Sequence, residues 1–253
     1  MSEELYHTPD LYELALGAEA DGEEVAFYAR WLARGPGAER VLSLGCGGGR
    51  LEAPLARLGV RFVGVDAAAE MVALAGGRDP GGLYLRGDMA RGAVRGPFAG
   101  AISGLLSFAY LTRRGEAEAC LRWVAETLAA GAPLLLDVPL SHRPRRLQGV
   151  EESLAGEGWT YRFRYLDWER SLPAGEVLHT RIEVEAGGRL VRRDAPLLVF
   201  TPEGARRLLE MCGFGDVRFF APHDAESGSE EPPEGCLRGV VVGRRFLAAD
   251  ECG

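Results

Sequence analysis

The chain has 253 residues, 47% of them hydrophobic and 26% charged, which is material for a packed core and excludes a disordered or collagen-like chain. Thirty-seven acidic residues against 29 basic ones give a formal charge of -8, which disfavours a surface built to neutralise many phosphates. All 29 are arginine, and the absence of lysine removes a Walker lysine, Schiff-base chemistry and lysine general bases together.

Cys46, Cys120, Cys212, Cys236 and Cys252 are scattered without a CxxC pair, and the four histidines are dispersed, so neither a metal site nor a disulfide framework is expected. A reducing cytoplasm fits this usage. The opening MSEELYHTPDLYELALG is acidic where a signal peptide would be basic, and no apolar run approaches the roughly 20 residues of a membrane span.

In chain order, residues 9–34 carry apolar positions at helical spacing and are interrupted at Asp21-Gly22, which predicts two helices. From 40 to 140 short apolar runs alternate with helical stretches. The predicted strands are 41–44, 61–65, 83–85, 100–103 and 134–138, with helices to about 58, to 75 and over 115–129. This rhythm means βαβ units and a parallel sheet buried on both faces. After Pro139 it changes: 159–168, 177–184 and 190–200 read as extended, with Gly187-Gly188 as a hairpin turn, so residues 141–200 form an antiparallel insertion. Thr201 then offers an N-cap with Pro202 at the first helical position, and Gly213 ends that helix. Strands at 217–220 and 237–242 follow, separated by an acidic 223–235 stretch that reads as a mobile loop.

The chemistry concentrates where strands end. In VLSLGCGGGR an apolar strand runs into Gly45, Gly47 and Gly49, where backbone N–H groups can approach a ligand. A dinucleotide fingerprint would need glycine where Arg50 stands. The next strand, RFVGVD, ends on Asp66, whose carboxylate can accept both hydroxyls of a ribose or, alternatively, cap the following helix. After the third strand, LRGDMA supplies Asp88 for an adenine amino group and Met89 for its face, or merely an acidic loop residue.

In this order and spacing, VLSLGCGGGR, FVGVDAAAEMVALA, LRGDMA, FAGAISGLLSFAYL, AETLAAGAPLLLDV, TPEGARRLLEMCGF and LRGVVVG resemble the class I S-adenosylmethionine-dependent methyltransferases over nearly the whole chain. The resemblance implies an α/β, Rossmann-like fold: a seven-stranded, mainly parallel sheet whose last strand is antiparallel, here with the small antiparallel β insertion. It divides the chain into an N-terminal helical lid (1–39), a cofactor-binding core (40–140 and 201–247) and the insertion, as substrate cap or dimerisation element. It implies S-adenosylmethionine as cofactor, with Gly45, Cys46, Gly47 and Gly49 along its methionine portion and Asp66 on the ribose. Ala67 and Met71 would edge the nucleoside, Gly87, Asp88 and Met89 would hold adenine, and Gly104 and Leu105 would close the pocket. Tyr12 becomes a lid contact, a packed surface tyrosine being the other reading.

One position departs from the family. Where its members carry an acid two residues before the first glycine, this chain has Ser43, which accepts a hydrogen bond but supplies no charge for the cofactor's ammonium group. Methyl transfer from a sulfonium is an in-line displacement that positioning can drive, so no obligatory catalytic residue is required. Ser107 and Tyr110 beyond the fourth strand and Asp137 ending the fifth are the catalytic candidates, with core packing and a structural cap as alternatives for the last two.

No histidine adjoins the glycine turn, which favours an amine acceptor over a hydroxyl that would need a base. The chain reads ISGLLSFAY where enzymes that methylate base amino groups carry (Asp/Asn)-Pro-Pro-aromatic, so a small-molecule acceptor is expected and nucleic acid is not. The insertion resembles those of sugar N-methyltransferases and of glycine and sarcosine methyltransferases, pointing to a small amine, in a monomer or homodimer. The competing readings are a non-catalytic protein that binds S-adenosylmethionine or S-adenosylhomocysteine, an O-methyltransferase, or another enzyme of the same fold.

Overall fold

The computed structural model describes residues 13–14, 17, 19–32, 39–222, 224, 228–232 and 237–246. Helix α1 spans Gly22–Leu32 and begins where the sequence breaks at Asp21-Gly22, because the Asp21 carboxylate accepts the Glu24 amide at 2.8 Å. The helix expected before it falls mostly outside the described residues.

The main sheet is built from β1 (Arg40–Leu44), β2 (Arg61–Asp66), β3 (Leu83–Arg86), β4 (Gly100–Ser103), β5 (Pro133–Pro139), β10 (Phe214–Phe220) and β11 (Arg238–Arg245). Between them run α2 (Glu52–Arg57), α3 (Ala69–Arg78), a 3₁₀ turn at Ser107–Tyr110, α4 (Glu116–Thr127) and α5 (Pro202–Met211). The strand order β10-β11-β5-β4-β1-β2-β3 puts β1 in the interior of the sheet, between β4 and β2. β1 is parallel to β2 and β4, whereas β11 is antiparallel to both β5 and β10. That is the sheet the resemblance implies.

Its strands are apolar on both faces because both are covered. Leu42, Leu44, Leu134 and Leu136 pack in the core beneath α4, while Val41, Leu135, Val240 and Val242 face the opposite way, onto Phe27, Tyr28 and Leu32 of α1. Each such fully buried side chain contributes roughly 2 kcal/mol. α4 buries Ala117, Cys120, Leu121 and Val124 at the spacing of one helix face. α5 starts as expected, with the Thr201 hydroxyl oxygen accepting the Gly204 amide at 3.0 Å.

The insertion is a four-stranded antiparallel sheet, β6 (Glu151–Gly156), β7 (Trp159–Leu172), β8 (Gly175–Ala186) and β9 (Arg189–Phe200). Gly187 and Gly188 both take positive φ, 56° and 74°, as a two-residue hairpin turn of this handedness requires. β6 was not legible in the sequence: all six of its residues are exposed, so it has no inward face to produce alternation, and pairing with β7 holds it. The insertion is stitched to the main sheet rather than appended to it. Ser141 donates its amide to the Phe200 carbonyl at 2.9 Å, and Phe200 stacks on Phe108 at 6.0 Å between ring centroids.

Within the 223–235 stretch, read as a mobile loop, Ser229 is fixed to Phe219 by a reciprocal pair of backbone hydrogen bonds of 2.9 and 3.0 Å. Among the described residues, no helix is long and apolar enough to cross a membrane.

Candidate active site at the carboxyl edge of the sheet

The three glycines after β1 serve three different needs. At Gly45, φ is 63° and a Cβ would lie 2.6 Å from Ser107 Cβ; at Gly49, φ is 77° and it would lie 3.1 Å from Ala75 Cα. Both therefore permit close packing, of the turn on the Ser107 loop and on α3. Gly47, with φ 53°, meets nothing within 4 Å and lies on the open side. Gly45 and Cys46 donate their amides to the Val65 carbonyl, tying the turn to the end of β2.

Asp66 links that turn to the next one. Its Oδ2 accepts the Gly47 amide at 2.8 Å and its Oδ1 the Ala68 amide at 2.9 Å. The capping reading needs correction, because α3 starts at Ala69 with Ala68 as its N-cap, and Asp66 forms an Asx-type turn ahead of it. Burial raises the Asp66 pKa, and the Ala68 and Gly47 amides oppose the rise. Each oxygen keeps a lone pair for a further donor.

These turns open on a cleft of about 380 Å³. Gly45, Gly47, Asp66, Ala67, Gly87, Asp88, Met89 and Leu105 line it, so the structure brings together most residues placed on the cofactor from the sequence. Asp88 is half exposed and already accepts the Ala90 amide at 2.9 Å and pairs with Arg91 at 3.2 Å. Met71 does not line the cleft, being 1% exposed on the buried face of α3. Gly49 is likewise absent from the lining, for the packing reason above. Tyr12 lies outside the described residues.

Ser107 and Tyr110 line the cleft as well. The Ser107 hydroxyl donates to the Gly45 carbonyl at 3.1 Å. Arg193, from β9, stacks over the Tyr110 ring at 4.2 Å and lines the cleft too, a contribution from the insertion that no local motif signals. Asp137 is 1% exposed and acts from behind: it accepts the Leu105 amide at 3.0 Å and forms a two-pronged ion pair with Arg238 of β11, one prong 2.7 Å long. It has no access to the cleft as a base. Leu105 and Leu106 hold positive φ, 45° and 61°, a conformation costing about 1–3 kcal/mol per non-glycine residue, which Asp137 helps to enforce.

Behind the glycine turn a second cavity of about 30 Å³ shares Gly45, Gly47, Leu105 and Ser107 with the cleft, and Cys46 and Gly104 also line it. So do Glu24, Arg50 and Glu52, which carried no motif signal. Ser43 lies beneath, 1% exposed, and its hydroxyl donates to Glu52 Oε1 at 2.5 Å.

A sequence family described as "Methyltransferase domain" matches residues 18–180, well over half of the chain. Among solved structures, an S-adenosylmethionine-dependent methyltransferase from Clostridium acetobutylicum ATCC 824 superposes with a TM-score of 0.73 at 14% identity, covering 95% of this chain and 98% of that one. An amino pentose methyltransferase from Micromonospora echinaspora, bound to S-adenosylmethionine, gives 0.68 at 23% identity over 93% and 96%. A sugar N-methyltransferase from Streptoalloteichus sp. ATCC 53650 gives 0.65 at 22% identity over 89% and 88%. At these identities the likeness shows the fold. A curated relative, a 23S rRNA (uracil(1939)-C(5))-methyltransferase from Shewanella sp. (strain ANA-3), is 43% identical over 60 residues, 24% of this chain, and the match spans 13% of that protein's length. The chain therefore belongs to the methyltransferase-domain family, and its fold is that of the class I S-adenosylmethionine-dependent methyltransferases.

Proposed function

We propose that this protein transfers the methyl group of S-adenosylmethionine to the amine nitrogen of a small molecule by direct displacement in the cleft. The observation that carries the reading is one shared lining: the glycine turn, Asp66, the 87–89 loop and Leu105 meet Ser107, Tyr110 and Arg193 around a single cleft. Its donors and acceptors fit a nucleoside joined to an amino acid. Gly47 leaves open space beside the backbone, Asp66 retains lone pairs for ribose hydroxyls, and Met89 offers a polarisable surface to a base.

When bound, S-adenosylmethionine supplies an electrophilic methyl group on a sulfonium. The protein's part is then to position the acceptor and keep water out, which needs no covalent intermediate. Among the described residues no histidine lines the cleft, and its carboxylates, Asp66, Glu70 and Asp88, all belong to the loops and helix around β2 and β3. Ser107 spends its proton on the Gly45 carbonyl. A hydroxyl acceptor would want a base beside Ser107 or Tyr110, whereas an amine needs only to arrive neutral. The insertion would serve the acceptor through Arg193, residues 1–39 would act as a lid, and the remainder as the cofactor domain. The amino pentose and sugar N-methyltransferases among the similar structures favour a small amine. Free buried thiols at Cys46, Cys120 and Cys212 fit a cytoplasmic setting.

The test is a methyl-transfer assay with isotopically labelled S-adenosylmethionine against amino sugars, amino acids, phenols and RNA, with the labelled atom located in the product. Label on a small-molecule nitrogen is expected. Label on oxygen or on RNA, or tight S-adenosylhomocysteine binding with no transfer to any class, overturns the reading.

A further inference from the structure

Glu52 is the buried carboxylate that the chemistry described so far leaves without employment. It is 3% exposed, at the start of α2, and lines the small cavity behind the glycine turn. Its hydrogen bonds come from neutral donors, the Ser43 hydroxyl 2.5 Å from Oε1 and the backbone amides of Leu51 and Glu52 itself, and among the described residues no arginine or histidine is ion-paired with it. The nearby Arg50 guanidinium is paired instead with Glu24 of α1, on the same cavity. A carboxylate buried without an ion-pair partner is expensive, and these hydrogen bonds, with the field of Arg50, offset only part of that cost. A cation arriving with a ligand would offset more of it.

The cavity is suited to deliver one. It shares Gly45, Gly47, Leu105 and Ser107 with the main cleft, so the two are neighbours across the glycine turn, and a ligand whose nucleoside lies along Asp66 and Met89 would direct its other end toward it. At about 30 Å³ it admits a group the size of an ammonium, since a single water needs roughly 10–15 Å³ on this measure. Arg50, on the same wall, has its Nε buried without a hydrogen-bond partner, a donor of the kind an amino acid's carboxylate would take. Acid and arginine together match the two charges of an amino-acid zwitterion.

We propose that Glu52, anchored by Ser43, receives the ammonium group at the amino-acid end of the cofactor, taking over from α2 the charge that Ser43 itself does not carry. The inference rests on the functional reading above, because it presumes a ligand with that end. Glu52 is a binding and positioning residue; it does not touch the transferred methyl group.

Calorimetric titration tests it, using S-adenosylhomocysteine and its deaminated analogue, in which hydrogen replaces the amine. Glu52→Gln keeps the shape and the Ser43 hydrogen bond while removing the charge. The variant should bind S-adenosylhomocysteine about tenfold or more weakly and bind the deaminated analogue as the parent does.

The parent protein gives an independent reading. Burial, partly opposed by the Ser43 hydrogen bond, pushes the Glu52 pKa to about 7, so the carboxyl is mostly protonated near pH 6.5. Ser43, Cys46, Arg50, Tyr84 and Glu24 are the polar and charged groups around it. An incoming ammonium should expel most of one proton at that pH, seen as a heat that varies with the buffer's ionisation enthalpy, and almost none near pH 8.5. Equal binding of S-adenosylhomocysteine to parent and variant, an equal loss for both ligands, or binding to the parent without proton release overturns the proposal. Failure of the parent to bind S-adenosylhomocysteine at all would instead remove the functional reading beneath it.

Discussion

Asp137 holds Leu105 in place: a carboxylate at the end of β5 accepts, at 3.0 Å, the amide of a leucine forced to φ 45° beside the cleft. The same carboxylate is gripped from β11 by Arg238, so the loop that closes the pocket is braced by an ion pair spanning two strands of the sheet. The brace makes Asp137 a determinant of loop conformation rather than a base.

Its removal should be read in stability first. Asp137→Asn keeps an acceptor for Leu105 but removes the charge that Arg238 grips, and because that arginine is one-third exposed and also feels Glu24 the cost falls at or below the lower end of the range for broken buried pairs, about 2–3 kcal/mol. Asp137→Ala also releases Leu105, so S-adenosylhomocysteine affinity should fall as well. Denaturant midpoints and calorimetry check both. A catalytic base would show the reverse pattern, with Asp137→Asn abolishing turnover and stability unchanged.

Asp66→Ala should lower both stability and affinity. It strands the Gly47 and Ala68 amides, for about 1–3 kcal/mol in total where water reaches them poorly, and it removes the acceptor for ribose hydroxyls, weakening S-adenosylhomocysteine binding about tenfold or more. Thermal melts without ligand and titrations with it separate the two effects. A lowered melting point with intact affinity would confine Asp66 to a structural role.

Glu52 predicts a pH dependence of the ligand-free protein. Burial raises its pKa from the ordinary 4.5 to about 7, so between those values the folded state holds a proton that the unfolded state has released. Stability from this group is therefore full below pH 4.5, declines as pH rises through the window, and levels off above 7. Glu52→Gln should erase that slope and be the more stable protein near pH 8, by up to about 3 kcal/mol. Urea midpoints of both proteins at several pH values decide it; a constant difference between them would refute the assignment.

Arg193→Ala should separate acceptor from cofactor. Its guanidinium over Tyr110 is worth about 0.5–2 kcal/mol as a cation–π contact, and it comes to the cleft from the insertion, not from the loops after β1, β2 and β3 that carry Asp66 and the glycine turn. The expected result is a raised KM for the methyl acceptor with S-adenosylhomocysteine affinity little changed. Truncating this one side chain is a cleaner probe than deleting the insertion, because Phe200 is stacked on Phe108 and the deletion would uncover the main core.

The local signals of the sequence carried far. Alternating apolar runs and helical stretches specified βαβ units; Gly187-Gly188, Thr201-Pro202 and the glycines after β1 each act through backbone preferences within a few residues, so their conformations could be read in place. The ends of β1, β2 and β3 then located most of the cleft, because in a parallel sheet consecutive carboxyl ends fall on one edge. Tertiary structure decided what depends on partners distant in the chain. Asp137 and Arg238 are 101 positions apart, Ser43 meets Glu52 only once the glycine turn has folded α2 back onto β1, and Arg193 reaches Tyr110 only through the register of β9. Asp66 shows the boundary most clearly. Its position was legible as the last residue of a strand, but whether its carboxylate capped a helix or bridged two turns depended on where the Gly47 amide came to lie, nineteen residues away. A side chain's type and phase are properties of the local chain, whereas its partner is set by the packing of strands and helices that no local pattern encodes.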